Sequence, residues 1–423
     1  MSTKIKPFFV SVLLFVSIIS NAQNNAEIEY TDQVYDEYIK TVQLYPNNIR
    51  VSSQTQPPII SLRGGVALIL EFDELFSEAY NYQVKIIHCN ANWQPSDLSP
   101  LQYLKDYNEY DINEFEYSFG TITPFVHYKF ILPRPILSGN YIMAVYARDD
   151  ASDVIITRRF MVYEQRVGFT DKYQIINNSP YSLDKQFLQF EIDYKGLALS
   201  NPMEFVSVNI TQNLRWDNAK MNIKPTFAHE ARQILEYRHF TNEDAFNSGN
   251  EFRYFDIRSL QYFGFHVRTV HFEKDKIFAW VENDKPRAGL AYSIEQSING
   301  AFYIENLERK IPDIENDYAL VSFTLQSEKL AQNVYISGKF TDWRKDAAAK
   351  MKYNSLTKSY EGTYVLKQGL YNYQYIVGNQ KIENSIEGDK RETNNIYDIF
   401  VYYRSQELRA DLLIGYYSFV FGI

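Results

Sequence analysis

The chain has 423 residues, a formal net charge of −9 and one cysteine, Cys89. This length can bury enough apolar surface for about two to four domains without cross-links. The acidic balance excludes wrapping nucleic acid or docking on an anionic membrane, both of which need clustered basic charge.

Lys4 and Lys6 precede an apolar run from Phe8 to Ser20, and Ser20-Asn21-Ala22 supplies small residues for cleavage. This is the pattern of a secretory signal peptide, and the run is too short to span a bilayer comfortably. Residues 1–22 are expected to be removed, leaving a chain that begins at or near Gln23. Lys4 and Lys6 leave with the peptide, so the formal charge of −9 becomes −11. No cysteine follows the run to carry a lipid, and no later stretch approaches about eighteen apolar residues. An exported chain without a membrane span is expected.

The 35 Tyr and 29 Phe against 4 Trp suit pleated, half-buried surfaces and favour an all-β chain. Helical periodicity is scarce; only Thr31 to Val42 and Ser96 to Asp106 read as short helices. Strict alternation is common instead. Val66, Leu68, Leu70 and Phe72 form one apolar face, with Glu71 and Asp73 opening the polar one. Tyr82, Val84 and Ile86 follow, then Leu188 to Tyr194, Val206 to Ile210 and Val321 to Leu325. Period two over five to eight residues predicts strands with one face on a core and one in water. The runs are too short and uneven for a transmembrane barrel, which needs regular strands of about ten residues.

A faint repeat groups these strands. Trp93, Trp216 and Trp343 each sit in a turn, and each is followed by a Gly (139, 249, 369) that opens an aromatic-rich segment. This suggests related modules: an N-terminal arm over 23–48 and β-sandwiches over 49–165, 166–313 and 314–405. A tail over 406–423 follows. The expected fold is all-β, a tandem of immunoglobulin-like and early-set β-sandwich modules.

No motif for nucleophilic catalysis, phosphate cradling or metal binding is present. The histidines at 88, 127, 229, 239, 266 and 271 lack the tight spacing of known zinc motifs. His88 and Cys89 are neighbours on a strand and should face opposite ways, which excludes a Cys-His nucleophile. No enzyme activity, cofactor or metal is expected.

The third module has Val334-Tyr-Ile-Ser-Gly-Lys-Phe-Thr-Asp-Trp343 and Gly369-Leu-Tyr-Asn-Tyr-Gln-Tyr-Ile-Val377, and it resembles glycogen-binding early-set modules. The resemblance implies that Trp343 stands where a sugar ring would stack and that Asn394 and Asn395 match a later polar contact. The family's second stacking Trp is replaced by Asn379, Gln380 and Lys381. Losing one of two platforms, each worth about 1–3 kcal/mol by analogy with base stacking, implies a retained sandwich without sugar binding.

The first module has His88-Cys89-x3-Trp93-x2-Ser96-x-Leu98, then Tyr117-Ser118, His127-Tyr128, Leu132-Pro133, Ser138-Gly139-Asn140-Tyr141 and Arg159-Phe160-Met161-Val162. With a closing Arg409-Ala-Asp-Leu-Leu-Ile-Gly, this order is similar to the type IX secretion system plug protein family. The resemblance implies a periplasmic protein, peripheral to the outer membrane, that closes a large translocon barrel when no cargo passes. It also implies binding residues among His88, Trp93, His127 and Tyr128. An envelope glycan-binding protein using Trp343 stays open as an alternative, and an unfamiliar hydrolase is the weakest one.

Overall fold

The computed structural model describes residues 28–48, 50–148, 150–170, 184–238, 245–295, 297–378 and 384–421. The expected signal peptide over 1–22 and its cleavage point near Gln23 lie outside these residues. So do His239, Asn379, Gln380 and Lys381.

The chain is all-β, built as sandwiches from antiparallel sheets. In the first sandwich, one sheet runs through Gln33–Val34, Val154–Tyr163, Gly139–Ala147, Tyr82–Cys89 and Tyr110–Ile112. Ile59–Ser61 adds to Val154–Tyr163 in parallel. The facing sheet runs through Ile39–Pro46, Leu68–Glu74, Val126–Ile131 and Glu114–Tyr117. Between them Leu70, Phe72, Val84, Ile86, Tyr128 and Tyr141 are fully buried. The segment Thr31 to Val42, expected as a helix, belongs instead to strands Gln33–Val34 and Ile39–Pro46. Backbone pairing with Thr157 and Glu74 overrides its weak local preference. Of Ser96 to Asp106 only the turn Pro100–Tyr103 is helical. The expected N-terminal arm therefore gives a strand to each sheet of this sandwich.

Strand pairing divides the rest of the chain differently from the tandem order expected. Strand Val206–Gln212 pairs along its whole length with Asn395–Ser405, which pairs with Ala410–Phe421. These face a sheet of Gly168–Phe169, Phe190–Asp193, Ile234–Tyr237 and Phe227–His229. Their shared core includes Ile192, Val208, Leu235, Ile399 and Ile414. The expected tail over 406–423 is thus a structural strand of the second sandwich.

The third sandwich is inserted within the second. Its sheets are Val267–Phe272, Ile277–Val281, Tyr318–Gln326, Ser359–Lys367 and Lys352–Asn354 against Arg253–Asp256, Gly369–Val377, Phe302–Ile304 and Val334–Ser337. Phe255 and Ile304, from before the break expected at 313, share one core with Phe323 and Tyr375 from after it. Arg253–Asp256 and Phe302–Ile304 both pair with Gly369–Val377, so a boundary at 313 would cut through this core. Among the described residues no helix is long and apolar enough to cross a membrane.

The sandwiches interlock. The outer face of the first packs Cys89, Trp93, Ile142 and Met161 against Phe400, Tyr402 and Leu413 of the second. The first meets the third through buried polar pairs. Gln54 accepts from the Ile304 amide at 2.6 Å and donates to the Ile304 carbonyl at 3.2 Å. Glu71 and Asp73, expected to face water, are buried at this junction. Lys367 Nζ donates to Asp73 Oδ2 at 2.6 Å, and Tyr318 donates to the same oxygen at 2.5 Å. Burial alone would raise the Asp73 carboxyl, but Lys367 and His127 overcome it and hold the group below its usual value.

Candidate functional site

The seven residues singled out from sequence lie inside the fold, in four separate places. His88 packs among Tyr103 and Tyr141 of the first core, with ring centroids 5.8 and 5.1 Å away. A Cβ on Gly139 would come within 2.2 Å of His88 Nε2, so Ser138-Gly139 serves to admit this imidazole. Burial pushes the His88 pKa down to about 4, leaving the ring neutral near pH 7. Cys89 points to the opposite side, into the seam with the second sandwich. There burial pushes its thiol up to about 12, which removes it as a nucleophile.

Trp93 lies in a second place, where it meets Trp216, which lines one crevice with Trp343. Trp216, expected in a turn, stands instead in strand Arg215–Ile223, just after the turn at Asn213 and Leu214. Its ring meets Trp216 edge-on at 4.9 Å. The Arg159 guanidinium stacks 4.4 Å from Trp93 and 5.5 Å from Trp216. Arg215 lies 5.0 Å over Trp343. Each turn uses left-handed backbone: φ is 65° at Trp93, 55° at Asn213 and Leu214, and 60° at Trp343. The turn repeat seen in sequence is therefore the device by which the modules meet, with desolvated cation–π contacts worth up to about 2 kcal/mol each. A crevice of about 490 Å³ opens beside it, lined by Asp32, Arg159, Trp216, Asp342, Trp343 and Arg344 among others. Arg158 pairs with Asp342 at 3.2 Å and Lys339 with Asp32 at 3.1 Å. Burial opposes ionisation of Asp32, but Lys339 and Arg158 hold its pKa down at about 2.

His127 and Tyr128 form a third pair on strand Val126–Ile131. Tyr128 turns into the first core, stacks on Phe72 at 4.8 Å and donates to Glu74 at 3.0 Å. His127 faces the third sandwich, where its Nδ1 meets Asp73 Oδ1 at 2.6 Å.

Trp343 with Asn394 and Asn395 does not assemble a sugar platform. Trp343 is only 9% exposed. Arg215 covers one face, Phe252 meets it at 5.8 Å, and a Cβ on Gly300 would come within 2.1 Å of its ring. Gly300 also has φ +80°, so glycine is required there on both counts. Asn394 donates to Glu251. Asn395 donates to Gln186 at 2.9 Å and accepts from Asn213 at 2.7 Å, inside the second sandwich. The strand that carries it has been drawn away from the third module.

The surface able to grip a partner was not found from sequence. Between strands Arg253–Asp256 and Val267–Phe272 a loop displays Tyr262, Phe263 and Phe265, with Tyr262 77% and Phe265 68% exposed. The loop is tied down around them. Leu260 is buried in the third core, the Asp256 amide donates to the Phe265 carbonyl at 3.0 Å, and Arg258 clamps Asp256 and Glu305. Leu307, also exposed, hydrogen-bonds through its amide to the Arg258 carbonyl. On the first sandwich the edge strand Glu114–Tyr117 is exposed throughout and presents Phe115 and Tyr117. Rigidly held, exposed aromatics are the usual anchors of protein interfaces. The only sequence signal was Tyr262-Phe263-Gly264-Phe265 itself, an apolar run with no alternation.

Comparison with known proteins agrees with this architecture. Residues 39–164 match the family described as type 9 secretion system plug protein, first domain. Residues 321–401 match the glycogen recognition site of AMP-activated protein kinase. Both families are of non-catalytic kinds. A crystal structure of a hypothetical protein from Parabacteroides merdae is 31% identical, covering 93% of this chain and 100% of its own, with a TM-score of 0.85. No curated protein matches the chain. The chain thus joins a first sandwich of the type 9 secretion system plug protein first-domain family to a module of the glycogen-recognition type.

Proposed function

We propose that this protein is a non-catalytic periplasmic plug, peripheral to the outer membrane, that occludes the translocon barrel of the type IX secretion system when no cargo is passing. The match of residues 39–164 to the plug family carries the reading. The architecture supports it physically. A stopper must hold its shape, and here three sandwiches are locked by Lys367–Asp73, Arg158–Asp342 and the tryptophan junction. It must also let go, which favours a moderate interface with a few aromatic anchors over a core-like one. The anchored prongs Tyr262, Phe263 and Phe265 and the edge strand with Phe115 and Tyr117 suit that requirement. No chemistry is needed, and His88 and Cys89 are held in unreactive states.

Envelope glycan binding is the second reading, favoured by the glycogen-recognition match over 321–401. The cover over Trp343 weighs against it. Deletion of the gene separates the two. The plug reading predicts greater sensitivity to a large antibiotic normally excluded by the outer membrane, while exported cargo still reaches the medium. Unchanged permeability with lost secretion would instead make this a component required for translocation. No change in either, with retention on starch or peptidoglycan, would favour the glycan reading.

A further inference from the structure

Glu71, His127 and Asp313 meet at the seam between the first and third sandwiches. Glu71 comes from strand Leu68–Glu74, His127 from Val126–Ile131 and Asp313 from the short turn Pro312–Glu315. All three are buried, and one ligand-type atom of each lies within 4.8 Å of the other two.

The imidazole is the informative group. Its Nδ1 bonds to Asp73 Oδ1 at 2.6 Å, and the other Asp73 oxygen pairs with Lys367 at 2.6 Å. That carboxylate fixes the tautomer with hydrogen on Nδ1 and leaves the Nε2 lone pair facing Glu71 and Asp313. His127 is 95% buried by its side chain, yet Nε2 has no hydrogen-bond partner. Glu71 Oε1 stands 3.7 Å from it, beyond hydrogen-bond range. An imidazole nitrogen shut away from water without a partner is costly. An imidazole oriented by a carboxylate, with its other nitrogen aimed at two more carboxylates, is the arrangement found around protein-bound metals.

The surrounding charges permit a cation. Asp313 Oδ2 pairs with Lys129 at 3.0 Å and Asp73 with Lys367 at 2.6 Å. Against the three carboxylates, these two ammonium groups leave one negative charge. We infer that Glu71, His127 and Asp313 bind a divalent first-row transition metal, with zinc fitting one nitrogen and two carboxylate ligands, and that the metal ties the first sandwich to the third. Closing on such an ion at about 2.0–2.2 Å asks the three side chains to converge by small torsional shifts. Because the ligands come from both sandwiches, binding stabilises the assembled chain and not the separated parts. The site is independent of the plugging role.

The test uses the full mature chain purified without a metal-affinity tag. Mass-spectrometric metal analysis should find about one zinc or similar ion per chain, as expected for a site coupled to folding. Removal by chelation should lower the melting temperature, and added zinc should restore it. Cobalt loaded into the chelated chain should give visible ligand-field bands that Glu71→Gln and Asp313→Asn weaken, while His88→Gln, at a buried histidine elsewhere, keeps them. Two results would overturn the inference: a chelated wild-type chain whose melting temperature ignores zinc, or zinc affinity unchanged in Glu71→Gln. Either would mean that His127 only positions Asp73 at the seam and holds no metal.

Discussion

Lys367→Met tests the seam that makes the first and third sandwiches one body. The substitution keeps the length of the side chain and removes its ammonium group. Lys367 and Asp73 are each 1% exposed at the side chain and 2.6 Å apart. After the change Asp73 keeps Tyr318 and His127 as donors but loses its counter-charge. Leaving one buried charge unpaired costs about 3–5 kcal/mol. With a urea slope of roughly 3 kcal/mol/M at the upper end for small proteins, that moves the midpoint by about 1–2 M. The double variant Asp73→Asn with Lys367→Met removes both charges and should cost less than the sum of the singles, by about 1–3 kcal/mol. Urea titration followed by tryptophan fluorescence and by far-UV circular dichroism is the assay. Because the pair joins two sandwiches, the single variant should also separate the two signals into distinct transitions. A loss below about 1 kcal/mol, or strict additivity in the cycle, would refute the claim that this pair holds the seam.

Other outcomes follow from the same structure. His88 and Asp398 should work against each other as pH falls. The His88 pKa is depressed from 6.5 to about 4, so its contribution is present above 6.5 and is lost as pH falls toward 4. Burial raises the Asp398 pKa from 3.8 to about 6, so its contribution is present below 3.8 and is lost as pH rises through 6. Relative to the wild type, Asp398→Asn should therefore lose about 1 kcal/mol on going from pH 7 to pH 5, and His88→Gln should gain about 2 kcal/mol over the same interval, measured by urea titration at each pH. Cys89 should resist a maleimide in the folded chain and react on unfolding, as thiol labelling followed by mass spectrometry will reveal; rapid native labelling would contradict its buried, protonated state. The chain should pass through a starch column without delay, and Arg215→Ala should begin to retain it if Trp343 is a covered platform; retention of the wild-type chain would contradict the cover.

Much of the strand content was legible because these strands have one face on a core. Tyr82–Cys89 and Tyr318–Gln326 show the alternation that a single buried face imposes, whereas Val206–Gln212 alternates in sequence yet is buried on both faces. Leu68–Glu74 was misread on one face, because Glu71 and Asp73 look solvated until Lys367 and Tyr318 arrive from distant sequence. The insertion of the third sandwich into the second was illegible for a similar reason. Nothing local in Val206–Gln212 announces that its partner is Asn395–Ser405. The Trp-turn repeat was visible, but its role was not, since Arg159 and Arg215 reach the rings only in the assembled chain. Trp343 looked like a platform because the residues covering it, Arg215 and Phe252, lie outside the motif that identified it. The exposed prongs at Tyr262, Phe263 and Phe265 escaped because aromatic residues are abundant throughout, and exposure has no sequence signature of its own.

The central claim is that this body closes a channel by fitting into or against it. The direct measurement is the conductance of the purified outer-membrane translocon barrel in a planar bilayer, before and after the mature chain is added to its periplasmic side. Large open-channel conductance should collapse on addition and return on washout. A variant with Tyr262, Phe263 and Phe265 changed to Ser should close it with a faster release, because anchor losses act mainly on dissociation. Conductance unaffected by a saturating concentration of the folded wild-type chain would contradict the account.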